Sequence, residues 1–280
     1  MADGLGTRAP AAAFDEAAST YDSGFADTTA GVWLRESVWS RLTPFVKPGM
    51  HALDLGCGTG EDSLWLARRA CRVTAADGSP AMLEKLAAKA VRLNLACRIR
   101  TVRLDLNASA AAEPPAGQPF DLVLSNFGAI NCVDDLAALG RKLGDWLKPG
   151  GVVALVFMGR FCAWESAYYL ARFDARAARR WRGRARATVG NQSVDVRYWR
   201  AREVLSALGP SFRSLAVHGI GTFVPPSYLF HWVEQHPRSF RALADCERRT
   251  AHLWPLSRVG DHTLIIARRV DTIGPAGSPR

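Results

Sequence analysis

The chain has no apolar run near the ~20 residues that a membrane span needs; the longest, around Val152–Met158, reads as a buried strand. The N-terminus, alanine-rich and carrying Asp3, lacks the basic and then apolar layout of a signal peptide. Cysteine is sparse: Cys57, Cys71, Cys97, Cys132, Cys162 and Cys246 form no C-x-x-C pair and have no His or Cys partner at metal spacing. These absences argue against a membrane span, a disulfide scaffold and a metal site, and make a reducing cytoplasm the expected location. Lysine is scarce as well, five against 31 arginines, a bias that codon composition alone can produce.

What charge there is lies unevenly. The net +10 divides into −1 over residues 1–150 and +11 over the rest, with seven arginines inside Arg172–Arg186. The stretch from Phe161 to Ala178 reads as a helix running from aromatic into arginine-rich sequence, and the simplest reading of its charge is a solvated basic face. An anionic or carrier-bound substrate would be the alternative use of the Arg172–Arg186 region. With 280 residues, 48% of them hydrophobic, the chain is long enough for one large α/β domain or a core plus a smaller cap.

Apolar periodicity organises the rest. Residues 1–13 and 271–280 read as disordered tails, and 14–48 as N-terminal helices. Strands are expected at His51–Leu55, Arg72–Ala76, Ile99–Leu104, Phe120–Ser125 and Val152–Met158, with helices at Glu61–Arg69, Ser79–Leu93 and Asp134–Leu147 between them. That alternation implies a parallel sheet with helices on both faces. Beyond Met158 the rhythm breaks: strands are expected at Val194–Trp199, Phe212–His218 and Thr263–Arg268, and helices at Arg202–Leu208 and within Tyr228–Leu253.

The strongest local signal is Ala52–Asp62, a strand that delivers Asp54 and then Gly56, Gly58 and Gly60 at alternate positions before a helix. Glycines there let the backbone turn sharply and approach a ligand, while the helix points its N-terminus back at it. Asp77, 21 residues beyond Gly56 at the end of the second strand, is placed to accept from both hydroxyls of a ribose. The third glycine of a dinucleotide G-x-G-x-x-G would fall at position 61, which is Glu. An acidic lip of Glu61 and Asp62 repels pyrophosphate and suits a sulfonium with an ammonium, which favours S-adenosylmethionine over NAD.

These segments resemble the class I S-adenosylmethionine-dependent methyltransferases of the small-molecule type, over roughly residues 14–158. Leu53–Gly60, Asp77–Leu83, Leu104–Leu106, Phe120–Asn126 and Leu147–Gly151 are similar to the family's motifs in order. The resemblance implies a Rossmann-like, doubly wound, seven-stranded and mostly parallel sheet with an antiparallel final strand. It makes 14–48 lid helices, 49–158 the cofactor core, and 159–270 the remaining strands with substrate-binding insertions. It implies that Gly56, Cys57, Gly58 and Gly60 line the methionine portion and Asp77 the ribose. Gly78, Ser79 and Met82 would edge the adenine, with Asp105 accepting from its amino group, Leu106 packed nearby, and Ser125 and Asn126 closing the site. Asp54 would reach the ammonium, and Tyr21 and Arg35 would close over the carboxylate.

The segment after the fourth strand narrows the acceptor. Ser125-Asn126-Phe127-Gly128 stands where base-amino methyltransferases carry N-P-P-Y, and no Pro-Cys dipeptide serves cytosine-carbon chemistry. Asn126, Phe127 and Asn131 are therefore expected to shape a small-molecule pocket, Asn131 having helix capping as its other reading. Arg160, Phe161, Trp164, Tyr168, Tyr169, Tyr228 and Trp232 are candidate walls for an apolar or aromatic acceptor, no nucleic acid being expected. His218, His231, His236 and His262 are the available bases, with His231 first and Asn126 the other catalytic candidate, and a base is needed only if the nucleophile must lose a proton. Rival readings are S-adenosylmethionine chemistry other than methyl transfer, RNA methylation, and a dinucleotide oxidoreductase.

Overall fold

A computed structural model describes residues 10–108, 114–115, 117–226, 233 and 235–270. Its main strands are β1 His51–Leu55, β2 Arg72–Asp77, β3 Ile99–Arg103, β4 Phe120–Ser125, β5 Leu147–Met158, β8 Phe212–Ile220 and β9 His262–Arg269. These seven form one sheet in the order β3-β2-β1-β4-β5-β9-β8. β1 to β5 pair in parallel, whereas β9 runs antiparallel to both β5 and β8. Leu147 pairs with Phe120 and regular pairing resumes at Val152 with Leu122, so Lys148–Gly151 bulges out of β5.

Central strands are buried on both faces, and this is why they read as near-continuous apolar runs. On β4, Leu122 and Leu124 pack with Leu34 and Val38 of α2 (Thr29–Leu42) and Trp65 of α3 (Glu61–Arg68). Phe120 and Val123 face the other way, onto Leu139 and Leu143 of α5 (Leu136–Trp146) and Val204 of α7 (Ala201–Leu208). Local chemistry sets the helix starts. In α4 (Pro80–Arg92), Pro80 follows Ser79, whose hydroxyl accepts from the Met82 amide at 3.2 Å. Asp135, not Asn131, caps α5, accepting from Ala138 at 2.9 Å.

The structure corrects several expectations. The N-terminal tail is shorter than predicted, because α1 begins at Pro10 and runs to Tyr21, followed by a π-helical turn at Asp22–Ala26. Arg172–Arg186 is no helix: α6 (Ala163–Leu170) ends before it, a short 3-10 turn occupies Ala175–Ala178, and β6 (Arg184–Val189) pairs antiparallel with β7 (Gln192–Arg197) as a separate hairpin. Of its arginines, Arg180 is buried between Glu165 at 2.8 Å and Asp261 at 2.5 Å. The expected helix within 228–253 is described as α8, Pro237–Thr250. No helix among the described residues is long and apolar enough to cross a membrane, and none of their His, Cys, Asp and Glu side chains form a group of three able to hold a metal ion.

Candidate active site

A cavity opens at the carboxyl ends of β1, β2, β4 and β5, where the strand order departs to either side of β1. Gly56 (φ +72°) and Gly60 (φ +91°) turn the loop after β1, and a Cβ at either would collide with Ala129 or Leu86. A Cβ at Gly58 would meet nothing nearer than Tyr21 Cε1 at 4.0 Å, so that side of the loop is open to the cavity. Asp77 holds the loop in place: its Oδ2 accepts from the Gly58 amide and its Oδ1 from the Ser79 amide, each at 2.9 Å. Burial raises the Asp77 pKa, and the backbone donors oppose that shift.

A second carboxylate organises the far end. Asp62 is buried, accepting from Trp39 Nε1 at 2.6 Å and Asn126 Nδ2 at 3.1 Å, and its Oδ2 lies 3.6 Å from Arg35 Nε. The Arg35 guanidinium also sits 5.3 Å from the ring centre of Phe127, a residue held at φ +45°. Left-handed backbone at a bulky residue is strained and is kept where the surroundings determine it. Glu61 and Asp62, the expected acidic lip, both line the cavity, Asp62 buried among its partners and Glu61 paired with Lys89 at 2.8 Å.

Two elements roof the cavity. Pro10, Ala11, Phe14 and Tyr21 of α1 face it, and α1 is tied to the core by Asp15, which accepts from Ser79 Oγ at 2.5 Å and the Ala81 amide at 2.9 Å. Asp22 accepts from Thr59 Oγ1 at 2.5 Å and pairs with Lys89 at 2.9 Å. The β6–β7 hairpin closes the other side with Ala187, Val189, Val194 and Val196. Its turn is joined to α1 by Asn191 and Gln192, whose side-chain amides donate to the two Glu16 carboxylate oxygens at 2.9 and 2.8 Å.

The predicted residues divide clearly. Tyr21, Arg35, Gly56, Cys57, Gly58, Gly60, Asp77, Gly78, Met82, Asp105, Leu106, Asn126 and Phe127 line this one cavity. Asp54 does not; it is buried, accepts from Ser63 Oγ at 2.6 Å, and burial together with the neighbouring Asp62 carboxylate pushes its pKa up to about 8. Ser79 and Ser125 also stand behind the wall, Ser125 donating to the Leu55 carbonyl at 2.8 Å. Asn131 is interior, joining β5 to β7 through the Met158 backbone and the Arg197 carbonyl.

Most of the expected acceptor walls lie elsewhere. Trp164 donates to the Phe223 carbonyl at 3.1 Å, Tyr168 stacks under Arg172 with Tyr169 beside it, and Arg160 and Phe161 border a different cleft. Tyr228, His231 and Trp232 lie outside the described residues. Neither His218, His236 nor His262 borders the cavity; His262 packs behind Phe127 and lies 3.1 Å from Asp261. The strand expected at Val194–Trp199 overlaps β7, whereas β6 and the hairpin it makes are absent from the sequence reading, although apolar alternation on both sides of Gly190-Asn191 signals them.

Residues 52–151 match a family profile described as a methyltransferase domain. Among curated proteins, the 23S rRNA (uracil(1939)-C(5))-methyltransferase RlmD of Alkalilimnicola ehrlichii is 40% identical over 100 residues, 35% of this chain and 22% of that protein. The chain spans less than half the length of the curated relatives it matches. Two solved structures share the fold. An S-adenosylmethionine-dependent methyltransferase from Mesorhizobium loti has a TM-score of 0.54 at 20% identity, covering 84% of this chain and 100% of its own. A geranyl diphosphate C-methyltransferase from Streptomyces coelicolor A3(2), solved with S-adenosyl-L-homocysteine, has 0.53 at 16%, covering 84% and 76%. Fold and cavity together define the class I methyltransferase architecture. Residues 52–151, about a third of the chain, match the methyltransferase-domain family within that architecture.

Proposed function

We propose that this chain is an enzyme that moves the methyl group of S-adenosylmethionine to a small apolar or aromatic acceptor. The observation that carries the acceptor class is the hairpin roof: the cavity is walled in part by Met158, Ala187, Val189, Val194 and Val196, together with Phe14 of α1. A charged or strongly polar acceptor would lose hydration there without recovering hydrogen bonds.

The chain's own residues supply binding, orientation and exclusion of water. Asp77 fixes the glycine loop through Gly58 and is left with lone pairs for ribose hydroxyls, while Asp105 stands at the end of β3 for the adenine amino group. Arg35 is the cation available to a carboxylate, and Asp62 holds both it and Asn126 at the reactive end. When bound, the cofactor supplies an activated methyl on a sulfonium, so displacement in line with the acceptor needs mainly positioning in a dry site. α1 and the hairpin provide that enclosure.

Calorimetry with S-adenosylmethionine, S-adenosylhomocysteine and NAD tests the cofactor, with micromolar binding of the first two and none of NAD expected. Binding of NAD alone would overturn the reading. Tritiated methyl transfer to a panel of apolar phenols, amines and short single-stranded RNA then tests the acceptor; label appearing in RNA alone would replace the small-molecule reading.

A further inference from the structure

A separate cleft of about 510 Å³, lined in part by the bridged Gly159 and Trp199, shares no lining residue with the cofactor cavity. Met158 borders the cavity, and the next two residues, Gly159 and Arg160, border the cleft. Four arginines line it, Arg160, Arg200, Arg202 and Arg258, and no acidic residue does. Glu203 reaches Arg160 at 3.1 Å, but Arg200, Arg202 and Arg258 make no ion pair among the described residues. Arg258 is half-buried, and its Nη1 is buried without a hydrogen-bond partner. Burial also lowers its pKa with no acid acting against the shift.

Glu203 offsets Arg160, but three further arginines around one concavity repel each other, and a partly desolvated guanidinium without a counter-charge is unfavourable. Arg200 and Arg202 worsen this by standing at the amino end of α7, the end of a helix that favours anions. One occupant would relieve all three. We propose that this cleft binds a small molecule bearing a phosphate or diphosphate group, since the planar arginine fork matches phosphate oxygens and several cations call for more than one negative charge. Beside the arginines, Phe161 is 38% exposed and stacks on Trp181 at 6.3 Å, a ledge for the apolar part of such a ligand. The site is separate from the cofactor cavity and does not depend on the acceptor proposed above.

The test is calorimetry of the full chain with sodium pyrophosphate at fixed ionic strength, with chloride as the matched control. Pyrophosphate is expected to bind, and both Arg258→Met and Arg202→Ala to weaken it about tenfold or more, the scale of one lost charge-assisted hydrogen bond. Arg202 is exposed, so its variant keeps the test decisive if Arg258→Met folds poorly. Arg92→Ala, on the exposed side of α4, should bind pyrophosphate as the parent does, and Arg202→Ala should keep its affinity for S-adenosylhomocysteine. No binding of pyrophosphate, or equal binding by Arg202→Ala and the parent, overturns the proposal. So does binding of a short single-stranded RNA where pyrophosphate fails, which would make the surface a nucleic-acid contact. Failure of S-adenosylhomocysteine to bind any variant or the parent would count against the methyltransferase reading alone.

Discussion

Two charged residues show how differently a single side chain serves this fold. Asp77 has both oxygens engaged by backbone amides and still borders the cavity, so its loss should leave the sheet intact, free the glycine loop and remove the contact proposed for the ribose. Asp77→Ala is expected to weaken S-adenosylhomocysteine binding by about 1–3 kcal/mol, read by calorimetry. Unchanged affinity would remove Asp77 from the ribose role. Arg180 is the opposite case. It donates to Glu165 at 2.8 Å, to Asp261 Oδ1 at 2.5 Å and to the Asp261 carbonyl at 2.8 Å, all buried. The two carboxylates hold Arg180 firmly protonated against the pull of burial. Arg180→Met leaves Glu165 with only the longer Arg179 contact at 3.4 Å and Asp261 with only His262 at 3.1 Å, and about 3 kcal/mol of folding stability should go with it. A urea denaturation midpoint equal to the parent's would show that the triad is dispensable. From the sequence, Arg180 was indistinguishable from its neighbours in a basic run, since only its burial separates it from Arg176, which pairs with Asp174 in solvent.

At the level of elements, legibility follows from how local the determining chemistry is. The β1–α3–β2–α4 segment was readable almost to the residue, because glycines with positive φ, a Ser79-Pro80 helix start and unbroken apolar strands each act within a few positions. The β6–β7 hairpin was not. Its outward positions carry Arg184, Arg186 and Arg197, so charge masked the alternating apolar face that roofs the cavity. The start of α1 was hidden for a related reason: alanine and proline at 10–13 resemble a loose tail until Asp15 and Glu16 find partners some 60 and 175 residues away. Those distant bonds make α1 and the hairpin one cover, and Glu16 is the link. Its side chain is exposed, so Glu16→Ala should change global stability by less than about 1 kcal/mol. Amide hydrogen exchange within 10–21 and 184–197 should nevertheless quicken. Unaltered exchange in both segments would mean that the cover is held by its apolar contacts alone.

Across the whole molecule, the same burial that builds the sheet leaves a pH signature. Asp54 sits in β1 with only Ser63 donating to it, and its pKa is pushed up to about 8, far above the ordinary carboxylate value near 4. Between those two values the unfolded chain has released the proton and the folded chain keeps it, so stability falls as pH rises and the loss ends above pH 8. His218 acts in the other direction: burial lowers its pKa to about 4, so it weakens the fold only on acidification below its unfolded value near 6.5. The window from pH 7 to 8 therefore excludes His218, and comparison with Asp54→Asn separates Asp54 from Asp77, whose pKa burial also raises. The urea midpoint of the parent is expected to drop across it, and that of Asp54→Asn to drop less, since an amide can still accept from Ser63 and has no proton to lose. Parallel slopes for the two proteins would show that Asp54 already ionises near the ordinary value and stands charged beside Asp62 across this window.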